Sequence, residues 1–204
     1  MKKEDYKFDG DYESIDLLEG PQAGGIAYWA KGIINPNKVV DVGCGPGTYV
    51  YAMRSKGINA VGYDLDPRVE DRPHLTNRSL FDIKDSGDMV MCFEVAEHVS
   101  PSDSQAVVDT LYDTLEKDGT LLFTAAHLGQ GGVDHINCRP KEYWEHKFKE
   151  RGLIRCTTLE DSLIEFIKTL PHMGWFTSNL MIFYKIDESI TESTAGSLNG
   201  PPQT

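Results

Sequence analysis

The sequence predicts an α/β fold in which a doubly wound, mostly parallel sheet carries helices on both faces. Short runs rich in β-branched residues alternate with segments of helical period, which is typical of this arrangement. The chain has 204 residues, of which 40% are hydrophobic and 25% charged, so its length suits one domain. We expect this domain at residues 22–186, after a lead-in at residues 1–21 and before a disordered tail at residues 187–204, which is rich in Ser, Thr, Gly and Pro.

Six short segments are predicted as strands because each is mostly apolar, as parallel strands covered on both sides should be. They span residues 38–42, 60–64, 77–82, 88–94, 120–126 and 178–186. Apolar residues recur at helical spacing in three further segments, which are residues 101–117, 140–151 and 159–170. The first of these helices has Ser100 and Pro101 at its start and Gly119 just past its end, which are typical boundary residues.

Charge and composition exclude several classes of function. Twenty basic and 32 acidic side chains give a net charge of −12, which disfavours binding to duplex nucleic acid. No uncharged apolar run approaches the roughly 18 residues needed to span a bilayer, and the charged start lacks the apolar stretch of a secretory signal. We therefore expect a cytoplasmic protein without a membrane span. The sequence carries no signal for a particular oligomeric state.

A glycine-rich turn is the strongest functional motif. In VVDVGCGPGT, residues 39–48, an apolar strand runs into Gly43, Gly45 and Gly47, and a helix is predicted to begin at Thr48. Glycines allow a ligand to lie against the main chain, and the start of a helix offers free N–H donors. Asp64 ends the second strand, where a carboxylate can accept hydrogen bonds from both hydroxyls of a ribose. Together these features indicate a cofactor that contains a nucleoside.

The spacing of the glycines indicates which cofactor is bound. This turn reads GxGxG after Asp41, whereas dinucleotide-binding proteins use GxGxxG, so a nicotinamide oxidoreductase is the weaker interpretation. With DVGCGPGT and GYDLDP, the sequence resembles the class I S-adenosylmethionine (SAM)-dependent methyltransferases, including the small type 11 and type 23 domains, over roughly residues 22–186. The resemblance implies a Rossmann-like sheet of seven strands, SAM as cofactor and S-adenosylhomocysteine (SAH) as product.

The resemblance also implies which residues contact the cofactor. Asp64 is expected to hold the ribose, and Asp82 is similar to the acid that contacts the adenine amino group. Ser79 takes that place if the alignment shifts, and Asp82 is then a turn or helix-cap residue. The full set of predicted cofactor-binding residues is Asp41, Gly43, Cys44, Gly45, Gly47, Asp64, Leu65, Phe81, Asp82, Glu94 and Val95.

The segment CFEVAEHV, residues 92–99, is expected to face the transferable methyl group. Glu97 and His98 follow Glu94 by about one helical turn. The string EVAEH looks like that of quinone-ring O-methyltransferases and small-RNA 2′-O-methyltransferases, in which a comparable Glu and His cluster binds a divalent metal. We interpret these residues here as a helix-start Glu with a packed His and predict no metal, with Mg²⁺ or Zn²⁺ as the alternative.

A glycine-rich loop at residues 125–144, AAHLGQGGVDHINCRPKEYW, is expected beside the methyl donor. It resembles the loop of a branch of the family associated with small-molecule or glycan biosynthesis. Histidine suits removal of a hydroxyl proton near neutral pH, so we predict His135 as general base, with His98 and His127 as the next candidates. The candidate acceptor-side groups are His127, Gln130, His135, Asn137 and Tyr143, and the candidate roof aromatics are Tyr28, Trp29, Trp144, Trp175 and Phe176.

These observations predict a SAM-dependent methyltransferase that methylates an oxygen of a small molecule or of a sugar or glycan precursor. Two alternatives stay open. One is a metal-assisted RNA 2′-O-methyltransferase, and the other is a SAM-binding module that keeps the cofactor site without catalysis.

Overall fold

The computed structural model describes residues 11–186. Residues 1–10 of the predicted lead-in and the tail predicted at residues 187–204 lie outside the described residues. Within them the strands are β1 (Lys38–Val42), β2 (Asn59–Asp64), β3 (Leu75–Asn77), β4 (Gly87–Phe93), β5 (Leu115–Thr124), β6 (Leu153–Arg155) and β7 (Met181–Lys185). The α-helices are α1 (Tyr12–Ile33), α2 (Thr48–Ser55), α3 (Ser104–Thr114), α4 (Lys141–Glu150), α5 (Thr157–Ile167) and α6 (Gly174–Asn179).

All seven strands form one sheet in the order β3-β2-β1-β4-β5-β7-β6. The strands from β1 to β5 pair in parallel, whereas β7 is antiparallel to both β5 and β6. The predicted doubly wound, mostly parallel sheet is therefore confirmed. Because the strand order reverses between β1 and β4, the loops after these two strands diverge and leave a crevice at the carboxyl edge.

Alternate residues along the central strands support different layers of helices. Val39 and Met89 pack with residues of α1, α2 and α5 on one face of the sheet. Val40 and Val90 pack with residues of α3 and α4 on the other face. Helices therefore cover both faces, and the mostly apolar sequence of the strands follows from this double burial.

Two elements agree closely with the sequence. The strand predicted at residues 38–42 is β1, and the helix predicted at residues 140–151 contains α4. Trp144 and Phe148 lie one turn apart on α4 and are fully buried. Gly152 follows the helix with a φ of 98°, a conformation that glycine adopts at little cost.

The helix predicted at residues 101–117 is shorter than expected. Its first turn, Pro101–Asp103, is a 3₁₀ turn, and α3 ends at Thr114. Leu115 is extended instead of helical because it pairs with Gly87, so β5 begins five residues before the strand predicted at residues 120–126. Pairing of Leu115 in the sheet therefore ends the helix at Thr114, before its predicted last turn.

The strand predicted at residues 77–82 is wrong over most of its length. The strand β3 ends at Asn77, and residues Leu80–Asp82 form a 3₁₀ turn. The Ser79 hydroxyl accepts a hydrogen bond from the Phe81 N–H at 3.3 Å and so caps this turn. Leu80 and Phe81 are apolar because they belong to a partly buried turn, and this apolar pair was mistaken for part of a strand.

The end of the chain also differs from the prediction. The strand predicted at residues 178–186 begins at Met181, because the Ser178 hydroxyl bonds the Gly174 carbonyl at 3.0 Å within the helical turn of α6. The three-residue strand β6 was not predicted, since it is too short to show a period of two.

The helix α1 crosses the boundary predicted between residues 21 and 22. It begins at Tyr12, after the Asp11 carboxylate accepts a hydrogen bond from the Glu13 N–H at 3.1 Å. A Cβ at Gly25 would lie 2.5 Å from a Leu170 methyl group, so glycine allows α1 to approach the end of α5 closely. Among the helices of residues 11–186, none is both long and apolar enough to cross a membrane.

The packing of α3 on the sheet predicts a large stability difference between two leucines. Leu111 is fully buried, whereas Leu17 on α1 is 80% exposed. We expect Leu111→Ala to lower the free energy of unfolding by about 2–5 kcal/mol, because it leaves a cavity, and Leu17→Ala by less than about 0.5 kcal/mol. Urea denaturation of the two variants measures this difference. Similar losses in both would contradict the burial of α3.

Candidate active site

A cavity of about 950 Å³ opens at the carboxyl edge of the sheet, where the loops after β1 and β4 diverge. The helix α1, the loops after β2 and β3, and residues 133–136 complete its wall. Eleven predicted site residues line it, which are Asp41, Gly43, Cys44, Gly45, Asp64, Leu65, Phe81, Glu94, Val95, His98 and His135. Segments far apart in the sequence therefore meet in one space.

The glycine turn forms the floor of this cavity. Gly43 has a φ of 77°, and a Cβ there would lie 2.3 Å from a Val95 methyl carbon. Gly45 has a φ of 50°, but a Cβ there would meet no protein atom within 4 Å. Gly43 is thus required by the protein's own packing, whereas Gly45 leaves open space in which a ligand can lie against the main chain.

Asp64 is held in place by main-chain donors at the end of β2. One carboxylate oxygen accepts a hydrogen bond from the Gly45 N–H at 2.8 Å, and the other accepts one from the Asp66 N–H at 2.8 Å. Each carboxylate oxygen has a second lone pair. The fixed carboxylate can therefore accept further hydrogen bonds from hydroxyls in the cavity.

Asp41 is a buried acid that points at the same cavity. Its side chain is 2% exposed and one oxygen, Oδ2, has no hydrogen-bond partner. Burial and the nearby charges of Asp64 and Glu19 raise its pKa well above the usual value. A buried carboxylate without a cationic partner is costly, so the site suits a positively charged ligand.

Three predicted residues lie outside the cavity lining. Gly47 caps α2 with a φ of 89°, and a Cβ there would lie 2.8 Å from Leu75, so this glycine serves packing. Asp82 is exposed at the end of the 3₁₀ turn, whereas the alternative residue Ser79 lines the cavity. His127 is exposed, and its Nδ1 lies 2.9 Å from the Leu128 carbonyl oxygen.

Several acceptor-side and roof candidates also prove to be structural. Asn137 is buried, and its amide donates to the Ser104 hydroxyl at 3.0 Å. Trp144 is buried on the α4 side of the sheet, and Tyr28 is 64% exposed. Trp175 does line the cavity, as expected of a roof residue.

Glu94 is held by two amide side chains after β4. Its carboxylate accepts hydrogen bonds from Gln130 Nε2 at 2.9 Å and from Asn179 Nδ2 at 3.0 Å. Asn179 Nδ2 also lies 2.9 Å from Gln130 Oε1, which closes the network. The φ of Glu94 is 52°, a conformation that few non-glycine residues adopt and that is common at functional sites. This network joins the glycine-rich loop and α6 to the end of β4.

Glu97, His98 and His135 converge at one end of the cavity. Each offers one potential ligand atom, and these atoms all lie within 4.8 Å of one another. Glu97 Oε2 and His135 Nδ1 are buried and have no hydrogen-bond partner. Burial and the Glu94 charge raise the pKa of Glu97 to about 8, and burial beside His135 lowers the pKa of His98. The cluster could therefore exchange protons or hold a cation.

The loop that carries His135 is fixed by main-chain hydrogen bonds. The Glu97 carbonyl accepts hydrogen bonds from the N–H groups of Ile136 at 3.0 Å and Asn137 at 2.9 Å. A Cβ at Gly132 would lie 2.2 Å from the His135 ring, so the ring packs directly on the glycine backbone. The GQGG sequence thus serves the placement of this histidine.

Sequence analysis missed the contribution of α1 and of α6. Ile15 and Glu19 lie one turn apart on α1 and both line the cavity. Asn179 is 1% exposed and bonds Glu94. The available signal for Asn179 was its position as a polar residue directly before the apolar run of β7. The signal for Glu19 was its spacing of four residues from Ile15, which places both on one face of a helix.

The two glycines of the turn should respond differently to the same change. Gly43→Ala and Gly45→Ala share the cost of a positive φ, about 1–2 kcal/mol, but only the Ala at position 43 would also collide with Val95. We expect Gly43→Ala to lower the free energy of unfolding by at least about 1 kcal/mol more than Gly45→Ala. Urea denaturation without ligand tests this, and equal losses would contradict the packing of Gly43.

Comparison with known proteins identifies relatives of the chain. A family model described as a methyltransferase domain matches residues 22–161. The ubiquinone biosynthesis O-methyltransferase of Idiomarina loihiensis is 27% identical over 198 residues, which cover 83% of this chain and 80% of that protein.

Solved structures share the fold at low sequence identity. An O-methyltransferase family protein from Burkholderia thailandensis has a TM-score of 0.64 at 14% identity, over 87% of this chain and 59% of that one. A sugar N-methyltransferase from a Streptoalloteichus species has a TM-score of 0.64 at 12% identity, over 89% of this chain and 95% of that one. Both structures thus share the overall fold of this chain over most of its length.

The family match covers most of the chain and includes the glycine turn, Asp64 and the segment around Glu94. It follows that the chain belongs to the methyltransferase-domain family and is a class I SAM-dependent methyltransferase.

Proposed function

We propose that the protein transfers the methyl group of SAM to a hydroxyl oxygen of a small molecule or a sugar. The observation that carries this proposal is the position of His135. This residue lines the cavity beside His98, and its buried Nδ1 has no hydrogen-bond partner. The name of one relative, an O-methyltransferase of ubiquinone biosynthesis, supports an oxygen acceptor, and that of a structural neighbour, a sugar N-methyltransferase, supports a sugar as substrate class only.

The cofactor end of the cavity fits SAM in shape and charge. Gly45 leaves open space beside the main chain, Asp64 can accept hydrogen bonds from ribose hydroxyls, and Asp41 offers a buried oxygen without a partner. Ser79 and Phe81 also line the cavity and are the residues proposed to contact the adenine. When bound, SAM would supply a methyl group on a positively charged sulfur. An acceptor oxygen in line with the carbon–sulfur bond would take this methyl group, and the sulfur would leave as the thioether of SAH.

His135 is the residue proposed to receive the acceptor proton. Its ring lies 4.8 Å from the His98 ring, centroid to centroid, and the two rings meet edge to face. The His98 ring also interacts with the backbone of Asp134, whereas burial lowers its pKa. The rigid loop keeps His135 at one place, and positioning of acceptor and methyl group is expected to supply most of the acceleration.

A second candidate mechanism uses a divalent cation. Glu97, His98 and His135 supply one carboxylate and two imidazoles within 4.8 Å, a donor set that suits Mg²⁺ poorly and Zn²⁺ or a similar ion well. The buried atoms Glu97 Oε2 and His135 Nδ1, which have no partner, favour this candidate. A cation held there would lower the pKa of an acceptor hydroxyl.

The acceptor class can be tested by following the methyl group. The protein is incubated with methyl-labelled SAM and fractionated cell extract, with and without EDTA. Label in a polar small-molecule or sugar fraction, on oxygen, supports the proposed function. Label in RNA would overturn the small-molecule acceptor, and SAH binding without any labelled fraction would favour the non-catalytic binding module.

Replacing His135 should separate catalysis from cofactor binding. We expect His135→Ala to lower kcat about 10²–10⁴-fold, because it removes the proposed base, and to change the Kd for SAH less than twofold. Titration calorimetry gives the Kd, and SAH release gives kcat. His146→Ala is the matched control, since His146 is exposed on α4 and lies outside the cavity lining. An active His135→Ala enzyme would refute the role of this residue.

Chelation distinguishes the two mechanisms. If the cluster holds a cation, EDTA should abolish methyl transfer, and added Zn²⁺ should restore it more fully than Mg²⁺, because the bound ion is removed reversibly and two of the three ligands are imidazoles. Activity is measured after dialysis against EDTA and after each metal is added back. Full activity in EDTA would exclude the cation mechanism and support His135 as the base.

A further inference from the structure

The helix α1 brings a carboxylate to the cofactor cavity from outside the sheet. Ile15 and Glu19 line the cavity from the same face of α1. This part of the helix is held there by Asp16, which accepts a hydrogen bond from the Thr48 hydroxyl and lies 3.9 Å from an Arg72 guanidinium nitrogen. Glu19 precedes the segment matched by the family model, residues 22–161, so the match assigns it no role.

A buried chain of hydrogen bonds places the Tyr49 hydroxyl beside Glu19. The Gln22 amide donates to the Tyr49 hydroxyl oxygen at 2.7 Å, and Gln22 Oε1 accepts from the Met173 N–H at 2.9 Å. Because the Tyr49 oxygen accepts from Gln22, its proton remains available to another acceptor, and the hydroxyl interacts with the nearby Glu19 carboxylate. Gln22 is fully buried, so this chain fixes a hydroxyl donor beside Glu19 at the cavity wall.

Glu19 and Asp41 form a pair of carboxylates that lacks a cation. Burial raises the pKa of Glu19, and burial together with the charges of Asp64 and Glu19 raises the pKa of Asp41. Within residues 11–186, neither acid forms an ion pair with Lys or Arg. Asp41, 2% exposed, lines the cavity with an Oδ2 that has no partner, which independently indicates a ligand.

We propose that Glu19 binds the α-ammonium group of the methionine part of SAM, together with Asp41. The inference rests on the assignment of SAM to this cavity and adds a cofactor-binding residue on α1. An ammonium group supplies three donors and a positive charge, which satisfies both carboxylates at once. The role of α1 is then to complete the cofactor site as well as to cover the sheet.

Two ligands that differ in the amino acid part test this proposal. SAH carries the α-ammonium group, whereas 5′-methylthioadenosine has the same adenosine and thioether without it. We expect Glu19→Gln to weaken SAH binding about tenfold and to leave the Kd for 5′-methylthioadenosine within twofold. Titration calorimetry measures both. Glu13→Gln is the matched control because Glu13 is an exposed carboxylate on the same helix, and it should change neither Kd.

The outcomes separate this inference from the cofactor assignment. Equal weakening of both ligands would assign Glu19 a structural role only, and unchanged SAH binding would refute the proposed contact. Failure of the unaltered protein to bind SAH would instead refute the cofactor assignment. Glu19→Asp, which keeps the charge, should bind SAH more tightly than Glu19→Gln, and the reverse order would contradict the proposal. Melting temperatures without ligand verify that each variant is folded.

Discussion

Negative charge at the carboxyl edge of the sheet is the constraint on which the cavity depends. Among residues 11–186, five carboxylates line it, which are Glu19, Asp41, Asp64, Glu94 and Asp134, against the single guanidinium group of Arg78. Burial disfavours the ionised form of such groups, and each neighbouring charge adds to the penalty. Main-chain and amide donors compensate Asp64 and Glu94, but Asp41 Oδ2 has no partner. The protein alone therefore leaves an electrostatic deficit that a cationic ligand can remove, and SAM carries two positive groups.

This deficit connects stability with function. A ligand that binds the folded chain stabilises it by an amount set by its concentration and affinity, so the cofactor offsets part of the cost of the buried acids. The same acids discriminate between ligands, because a neutral or anionic molecule of similar shape would leave them uncompensated. The main-chain bonds from Gly45 and Asp66 keep Asp64 in place before any ligand arrives, so little ordering cost remains at binding.

The cofactor side could be predicted from the sequence because its residues sit in continuous motifs. The turn after β1 and Asp64 at the end of β2 follow apolar strands whose ends meet at one sheet edge. Asp82 lies exposed outside the cavity lining because Ser79 caps a 3₁₀ turn where a strand was expected, and its contact with the adenine stays a prediction. Glu19 and Asn179 could not be predicted, since they reach the cavity through tertiary packing of α1 and α6, which local patterns do not encode.

Glu97 organises the end of the cavity that contains His135 through two separate sets of contacts. Its main-chain carbonyl accepts from Ile136 and Asn137 and so fixes the loop that carries His135. Its side chain accepts from the Ala126 N–H at 3.1 Å and leaves Oε2 without a partner, and His135 Nδ1 also lacks one. Leaving such buried atoms unsatisfied costs about 1–3 kcal/mol each, so they are expected only where a substrate, a water or a cation completes them. In the proposed function, the backbone of Glu97 holds the loop that carries His135, and its side chain distinguishes activation by a base from activation by a cation.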